Sequence, residues 1–164
     1  FKMKNIFLAS LFVTTLLSCQ NRVETQFSEA ALNDAFLTLN DDSILFKSIL
    51  EKHQGKTVFI DVWASWCKDC LKGLPSVKAL QTEHPEVDFV YLSLDKTQKA
   101  WKKGIKRLEI KGDHYFMKSG WKGAMGTFLD LDWIPRYMII DKQGKIKVFK
   151  AIETTDITLL NNLK

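Results

Sequence analysis

The stretch Val62-Trp63-Ala64-Ser65-Trp66-Cys67-Lys68-Asp69-Cys70 says most about the fold and chemistry of this 164-residue chain. It follows the apolar run Val58-Phe59-Ile60, which is typical of a buried strand, and it leads into a segment of helical character. A helix N-terminus presents unpaired backbone N–H groups and a partial positive charge, and both favour a thiolate at Cys67. Cys70 is near enough in sequence to attack a mixed disulfide formed by Cys67. The pattern therefore predicts a redox centre with Cys67 as nucleophile and Cys70 as resolving thiol.

Two plainer interpretations of the cysteine pair are an inert structural disulfide and half of a zinc site. Structural zinc sites usually need a second pair of ligands at a defined spacing. The only other cysteine is Cys19, and His53, His84 and His114 are scattered without a paired spacing. The sequence therefore predicts no metal site. An inert disulfide would not need a strand before it and a helix after it, so the redox interpretation is favoured.

The residues around the pair resemble those of the thioredoxin superfamily. Asp61 stands six residues before Cys67, where thioredoxins carry a buried acid that assists proton transfer at the second cysteine. Trp63 and Trp66 match the aromatic positions that flank the motif, and Pro75 matches the proline that kinks the active-site helix. The resemblance implies that Asp61 is catalytic and that Trp66 contacts substrate.

A second part of the resemblance lies in Trp133-Ile134-Pro135-Arg136-Tyr137, which is similar to the cis-proline loop of the superfamily. The resemblance implies a cis bond before Pro135, a substrate segment paired with the neighbouring backbone, and Ile134 facing the disulfide. Arg136 would add a positive charge near the groove, or would be solvated. Over residues 43–164 the implied fold class is α/β: a thioredoxin-like fold with a central mixed sheet flanked by helices.

The connection from Asp95 to Asp132 is longer than in a minimal thioredoxin, and forms an insertion before the cis-proline strand. Such an insertion resembles the extracytoplasmic reductases of the TlpA/ResA type, which often place a further acid near the site. Glu109 and Asp113 are the candidates, and the sequence does not choose between them. Tyr91 stands where thioredoxin carries a lysine near the buried acid.

The N-terminus has the features of a targeting segment. Lys2 and Lys4 precede an apolar stretch that ends in Leu16-Leu17-Ser18-Cys19, which resembles the lipobox of bacterial lipoproteins. We therefore expect a signal peptide over residues 1–18, lipidation of Cys19, a tether and N-terminal extension over 19–42, and the thioredoxin-like domain over 43–164. The end of an ordinary secretory signal, or a signal anchor, is the alternative for Cys19.

Periodicity and turn signals give a coarse map of the elements. The predicted helices cover 28–39, 44–53 with Ser43 as N-cap, 67–84 interrupted by Pro75, 97–108 and 154–163. The predicted strands cover 57–63, 87–94, 114–117, and a hairpin of 137–140 with 145–149, while 121–131 is helical or irregular.

The resemblance implies a lipid-anchored oxidoreductase that reduces protein disulfides in the bacterial envelope, on the periplasmic side. It would need an upstream electron donor and no cofactor beyond the Cys67–Cys70 disulfide. Nucleic-acid binding has little support, because the formal net charge of +5 is modest and no basic stripe with interleaved aromatics is present.

The cysteine pair is also compatible with two other functions. A thiol peroxidase would carry threonine three residues before its cysteine, where this chain has Ala64. The other is a non-catalytic envelope binding module, or a metal-delivery protein, on a thioredoxin scaffold. Copper-delivery relatives of this fold use a three-residue gap between their cysteines and a distant histidine, whereas the gap between Cys67 and Cys70 is two.

Overall fold

A seven-stranded mixed sheet forms the centre of the computed structural model, which describes residues 24–163. In chain order its elements are α1 Glu29–Leu32, β1 Ala35–Leu37, β2 Ser43–Leu45, α2 Phe46–Lys52, β3 Val58–Trp63, α3 Lys68–Glu83, β4 Asp88–Ser93, α4 Gln98–Leu108, β5 Asp113–Met117, a 3-10 turn Gly120–Lys122, α5 Ala124–Phe128, β6 Arg136–Ile140, β7 Ile146–Ala151 and α6 Ile157–Asn161.

The strands lie in the order β2-β1-β5-β4-β3-β6-β7. Strands β3, β4 and β5 run parallel, whereas β6 pairs antiparallel with β3, β7 with β6, and β1 with β5. Strand β3 lies between β4 and β6, and all six of its residues are buried. This position explains why its sequence is almost continuously apolar instead of alternating. The predicted α/β fold with a mixed sheet is confirmed.

Register places Asp61 of β3 between two tyrosines. It lies opposite Tyr91 on β4 and opposite Tyr137 on β6. Residues directly opposite each other on paired strands project from the same face of the sheet, so the three side chains share one face. On β5 the ring of His114 continues the row, stacked on Tyr91 at a centroid distance of 5.0 Å.

The two helices that follow β3 and β4 contact this same face. A Cβ placed on Gly73 of α3 would lie 2.6 Å from the hydroxyl oxygen of Tyr137. On α4, the fully buried Trp101 packs on Phe116 of β5, with ring centroids 5.7 Å apart. Helix α4 also approaches the loop after β3, because Gly104 lies directly against Ser65. Both helices thus pack on the face of the sheet that carries Asp61, and α4 also contacts the loop that leads into α3.

Residues 24–45 differ most from the predicted elements. Ser43 does not cap a helix: it lies in β2, opposite Leu37 of β1. Helix α2 begins three residues later, with Leu45 at its N-cap and no side-chain cap. The helix predicted over 28–39 is only the four residues of α1, followed by β1, in which Phe36 is fully buried. Strands of three residues are too short for their periodicity to be recognised in the sequence.

Part of the predicted N-terminal extension therefore packs on the sheet. Strand β1 pairs with β5 and lies within residues 19–42. The predicted signal peptide over 1–18 and the lipidated Cys19 fall outside the described residues. Between residues 24 and 163, none of the helices is long and apolar enough to cross a membrane.

The remaining elements follow the prediction closely, with two exceptions. Pro75 does not interrupt the active-site helix, since α3 runs continuously from Lys68 to Glu83. A proline removes one backbone donor, and a packed sixteen-residue helix tolerates that loss. The closing helix α6 is shorter than predicted. The Asp156 side chain forms its N-cap, so the helix begins at Ile157 and not at residue 154.

Candidate active site

The cysteine pair lies at the junction between β3 and α3. Cys67 and Cys70 form a disulfide with a Cα–Cα distance of 5.3 Å. Cys67 is the N-cap residue of α3, with extended backbone angles, and its Sγ accepts a hydrogen bond of 3.1 Å from the backbone N–H of Cys70. The sulfur therefore takes the place that a serine or aspartate oxygen usually fills at a helix N-cap. That geometry favours negative charge on Cys67 once the disulfide is reduced.

The predicted cis-proline loop lies against this sulfur. The Ile134–Pro135 peptide bond is cis, as predicted. The carbonyl oxygen of Ile134 lies 3.5 Å from Cys67 Sγ, and the Ile134 side chain is buried. Residues far apart in the sequence, on two different loops, are thus brought to the same sulfur.

A groove of about 540 Å³ opens beside Cys67, and we call it the tryptophan groove. Trp66 and Trp133 are 49% and 57% exposed, which is unusual for residues of this size and apolarity. The residues that line the tryptophan groove are Trp66, Cys67, Lys68, Asp69, Trp121, Asp132, Trp133 and Ile134. Sequence reasoning found Trp66 and Ile134 but missed Trp121 and Trp133, which join the groove from the insertion and from the cis-proline loop.

Asp61 is enclosed beneath α3. It is 4% exposed, and its Oδ1 has no hydrogen-bond partner among the described residues. Burial raises the pKa of Asp61 to about 8 from an ordinary 3.8, because a low-dielectric environment disfavours the charged form. Burial also raises the pKa values of Tyr91 and Tyr137, and the negative charge of Asp61 raises both further. The site thus holds a carboxyl that exchanges its proton near neutral pH.

Comparison with known proteins agrees with this geometry. Residues 55–146 match a protein-family model described as "Thioredoxin-like". The chain belongs to the thioredoxin-like family. A thiol-disulfide oxidoreductase ResA of Bacillus cereus is 29% identical over 130 residues, which are 77% of this chain and 70% of ResA.

Solved structures agree as well. A Bacteroides vulgatus protein, assigned as a thiol-disulfide oxidoreductase, superposes with a TM-score of 0.64 at 29% identity, over 79% of this chain and 82% of that one. A thiol-disulfide oxidoreductase from Bacteroides fragilis shares the fold, with a TM-score of 0.68 at 18% identity, over 83% and 100% of the chains. This thioredoxin-like protein is a thiol–disulfide oxidoreductase.

A serine–aspartate network, which sequence reasoning missed, fixes the loop of this thioredoxin-like site. The buried Asp95 carboxylate accepts hydrogen bonds from the backbone N–H of Ser65 at 3.1 Å and from its hydroxyl at 2.6 Å. The Ser93 hydroxyl donates a third bond to it at 2.9 Å, and Arg107 of α4 donates to the Ser65 carbonyl at 3.2 Å. The network ties the residues just before Cys67 to the carboxyl end of β4. The one feature of the sequence that could have indicated this network is the position of Asp95 directly after a predicted strand.

The candidate acids of the insertion serve other purposes. Glu109 is the left-handed C-cap residue of α4. Asp113 begins β5, forms an ion pair with Lys52 at 2.9 Å, and has a carboxylate oxygen 3.1 Å from His53 Nε2. Within residues 24–163, no hydrogen bond or ion pair links either acid to the cysteine pair. Asp69 and Asp132, which line the tryptophan groove, are the acids that the fold places beside the sulfur.

Arg136 is neither solvated nor a free charge near the groove. Its side chain is fully buried, and it donates hydrogen bonds to the Leu129 carbonyl at 2.7 Å and to Asp132 at 3.0 Å. It braces the cis-proline loop against the insertion. In the part of the chain that the structure describes, no cluster of His, Cys, Asp and Glu could hold a metal ion.

Asp61 makes stability depend on pH in a definite direction. The unfolded carboxyl ionises near 3.8 and the folded one near 8. Its contribution to stability is fully present below the unfolded value and is lost as pH rises toward 8. We predict that Asp61→Asn raises the free energy of unfolding at pH 7 by roughly 2–4 kcal/mol relative to the wild type. The free energy of unfolding of the variant should also change less between pH 4 and pH 8.

Urea unfolding of the oxidised protein across this pH range measures the effect. Asp42→Asn is the matched control, because Asp42 is exposed and the same substitution there should leave the pH slope unchanged. An Asp61→Asn protein with the wild-type slope would show that Asp61 is not a buried acid of raised pKa.

Proposed function

We propose that this oxidoreductase is a lipid-anchored enzyme of the bacterial envelope that reduces disulfides in protein substrates. The observation that carries the proposal is the position of Cys67. Its sulfur is both the N-cap acceptor of α3 and part of the wall of the tryptophan groove. A sulfur that is stabilised as a thiolate and borders a substrate-sized groove can attack a substrate disulfide directly.

The proposed reaction proceeds in two steps. The Cys67 thiolate attacks one sulfur of the substrate disulfide, forming a mixed disulfide and expelling the first substrate thiolate. Cys70 then loses its proton, and its thiolate attacks Cys67 Sγ, which expels the second substrate thiolate. The substrate gains two electrons and two protons in total, and the enzyme is left with the Cys67–Cys70 disulfide.

Asp61 is the proposed acceptor of the Cys70 proton. It projects from the face of the sheet that α3 covers, and burial gives it a pKa of about 8. A base whose pKa lies near the working pH combines a useful ionised fraction with a useful proton affinity. The chemistry needs no cofactor other than the cysteine pair.

Trp66, Ile134 and Pro135 are the proposed substrate-binding residues, joined by Trp133. Exposed tryptophans on both sides of a reactive sulfur suit an extended apolar polypeptide segment, since aromatic rings supply contact area at a small entropic cost. The Ile134 carbonyl beside Cys67 Sγ brings such a segment to the sulfur.

The direction and the location rest on the sequence resemblances. The long connection between β4 and β6 supports a reductase of the TlpA/ResA type. An upstream electron donor of the envelope must then return the disulfide to the dithiol. Lys68 and Asp69, between the cysteines, act in opposite directions on the Cys67 thiolate, so neither sets the direction alone.

The separate roles of the two cysteines give the first test of the proposal. In a Cys19→Ala background, where Cys67 and Cys70 are the only cysteines of the sequence, we predict that Cys70→Ser accumulates a mixed disulfide with a disulfide-bonded protein substrate. The reason is that the second attack has lost its nucleophile. Cys67→Ser should trap none, and each variant should lower substrate reduction with dithiothreitol as donor by at least about 100-fold.

Non-reducing electrophoresis and mass spectrometry detect the trapped adduct. An active Cys67→Ser protein, or a Cys70→Ser protein that traps no substrate, would contradict the proposed reaction.

The lipid anchor has its own test. We predict that Cys19 in the membrane fraction of expressing bacteria begins the mature chain and carries a diacylated or triacylated modification, detectable by mass spectrometry of the N-terminal peptide. Cys19→Ala should abolish the modification and release the protein from the membrane. An unmodified Cys19 in a membrane-free protein would refute the anchor without affecting the proposed disulfide chemistry.

A further inference from the structure

The excess positive charge of this chain is concentrated at helix α4 and its two ends. Residues 96–111 contain seven basic side chains and a single acidic one, that of Glu109. The rest of the sequence contains 17 basic and 18 acidic side chains, so the formal net charge of +5 has its source in this one segment. Like charges gathered on one part of a folded surface create a local potential that the net charge alone does not reveal.

Three lysines of α4 form one exposed side of the helix. Lys99, Lys103 and Lys106 are exposed, and they are spaced four and three residues apart, which places them on the same side. They extend over about 10 Å of the helix axis. The opposite side of α4 packs on the sheet and includes the fully buried Trp101. We call the three lysines the lysine face.

The charge of the lysine face is not compensated within the fold. Between residues 24 and 163, the one ion pair that α4 forms joins Lys102 to Asp41, in the loop between β1 and β2, at 2.6 Å. In the same range no acid forms an ion pair with a residue of the lysine face. Like charges three and four residues apart destabilise a helix. A partner of opposite charge would remove this repulsion.

The lysine face adjoins the loop that carries the reactive cysteine. Gly104 of α4 lies directly against Ser65. Arg107, the residue after Lys106, donates a hydrogen bond of 3.2 Å to the Ser65 carbonyl, and Ser65 is two residues before Cys67. A typical protein–protein interface covers about 800 Å² on each partner, a patch roughly 30 Å across. A protein docked with its disulfide at Cys67 therefore also covers part of α4.

The tryptophan groove does not supply a positive charge of this kind. Its charged lining residues are one base, Lys68, and two acids, Asp69 and Asp132. On α4, Trp101 is buried, so the lysine face offers no aromatic ring on which a nucleic-acid base could stack. Carboxylates of a protein docked at the groove are therefore the partner that the lysine face fits.

We propose that the lysine face attracts acidic side chains beside the disulfide of a protein substrate, and so makes the enzyme select acidic protein partners. The inference rests on the proposed function, because it concerns the partner that Cys67 attacks. Attraction of this type raises the rate of encounter more than the lifetime of the complex, and it weakens as salt shortens the Debye length. The tryptophan groove receives the apolar segment that carries the disulfide.

The test measures the attack by Cys67 on matched substrates. In the reduced protein with Cys19→Ala and Cys70→Ser, the reaction stops at the mixed disulfide, and rapid quenching followed by mass spectrometry gives its second-order rate constant. The substrates are two disulfide-bonded peptides of one sequence, with Asp and Glu beside the cysteines in one and Asn and Gln in the other. At about 20 mM ionic strength we expect the acidic peptide to react about tenfold faster. At about 0.5 M the rates should differ less than about twofold.

Charge reversal tests whether the lysine face is the source of this preference. Lys99→Glu, Lys103→Glu and Lys106→Glu together should abolish the preference at low salt, because the attraction becomes a repulsion. Attack on the neutral hydroxyethyl disulfide should keep its original rate, which shows that the Cys67 thiolate is unaltered. Glutamine at the same three positions is the second variant should the reversed helix fold poorly, since glutamine also favours a helix. It should lower the preference to about threefold.

Lys142, Lys145 and Lys147 provide the matched control. They are exposed on the turn after β6 and on the edge strand β7, near the end of the sheet where β3 begins, whereas Cys67 follows the other end of β3. Replacing all three by glutamate changes the net charge by the same amount as reversal of the lysine face. The preference for the acidic peptide should stay at about tenfold.

Equal rates for the two peptides at low salt, or a preference that survives reversal of the lysine face, would overturn the proposal. Loss of the preference in the control variant would also overturn it, because the effect would then belong to the net charge. Flotation of the Cys19→Ala protein with phosphatidylglycerol vesicles gives the last outcome. Binding through the lysine face without any preference between the peptides would assign this face to an anionic membrane and not to a protein substrate.

Failure of the proposed function would look different. In that case neither the peptides nor the neutral disulfide would form a mixed disulfide with Cys67. Failure of the present inference leaves that reaction intact and removes only its dependence on the charge of the substrate.

Discussion

The hydrogen bond from the Cys70 backbone N–H to Cys67 Sγ is the interaction on which the rest of this structure depends. It makes one sulfur the N-cap of α3, so the partial positive charge of the helix acts on the atom that must become a thiolate. Cys67 follows the buried strand β3, which fixes the start of α3 at the end of the sheet. The Asp95 carboxylate accepts hydrogen bonds from Ser65 and so fixes the loop just before Cys67. The cis-proline loop then closes over the same sulfur from the other side.

A second constraint is that the site contains a carboxyl that the core solvates poorly. Asp61 lowers stability at neutral pH, because its charge must be kept in a low-dielectric environment with no hydrogen bond to Oδ1. An apolar residue would serve the sheet better at this position. Local rules of folding are expected to fail at functional sites, and Asp61 is one position where this fold departs from them. The proposed proton transfer from Cys70 to Asp61 accounts for this penalty.

How much the sequence predicts depends on the range of the contacts. The cysteine pair is recognisable from its spacing and from the strand and helix around it, whereas Asp61 and Pro135 are recognisable because they resemble positions of the thioredoxin superfamily. The Asp95 network and the approach of Tyr137 to α3 are not, since both depend on which strands become neighbours in the sheet. The β1–β2 hairpin escapes recognition because strands of three residues leave too little periodicity.

The central claim is that the fold makes Cys67, and not Cys70, the reactive thiolate. Both cysteines are 6% exposed, so a difference in their reactivity reports on ionisation and placement more than on burial. The most direct measurement is alkylation of the reduced Cys19→Ala protein by limiting iodoacetamide at pH 7, followed by peptide mass mapping. The account predicts labelling of Cys67 at least about tenfold faster than Cys70. Equal labelling, or faster labelling of Cys70, would contradict it.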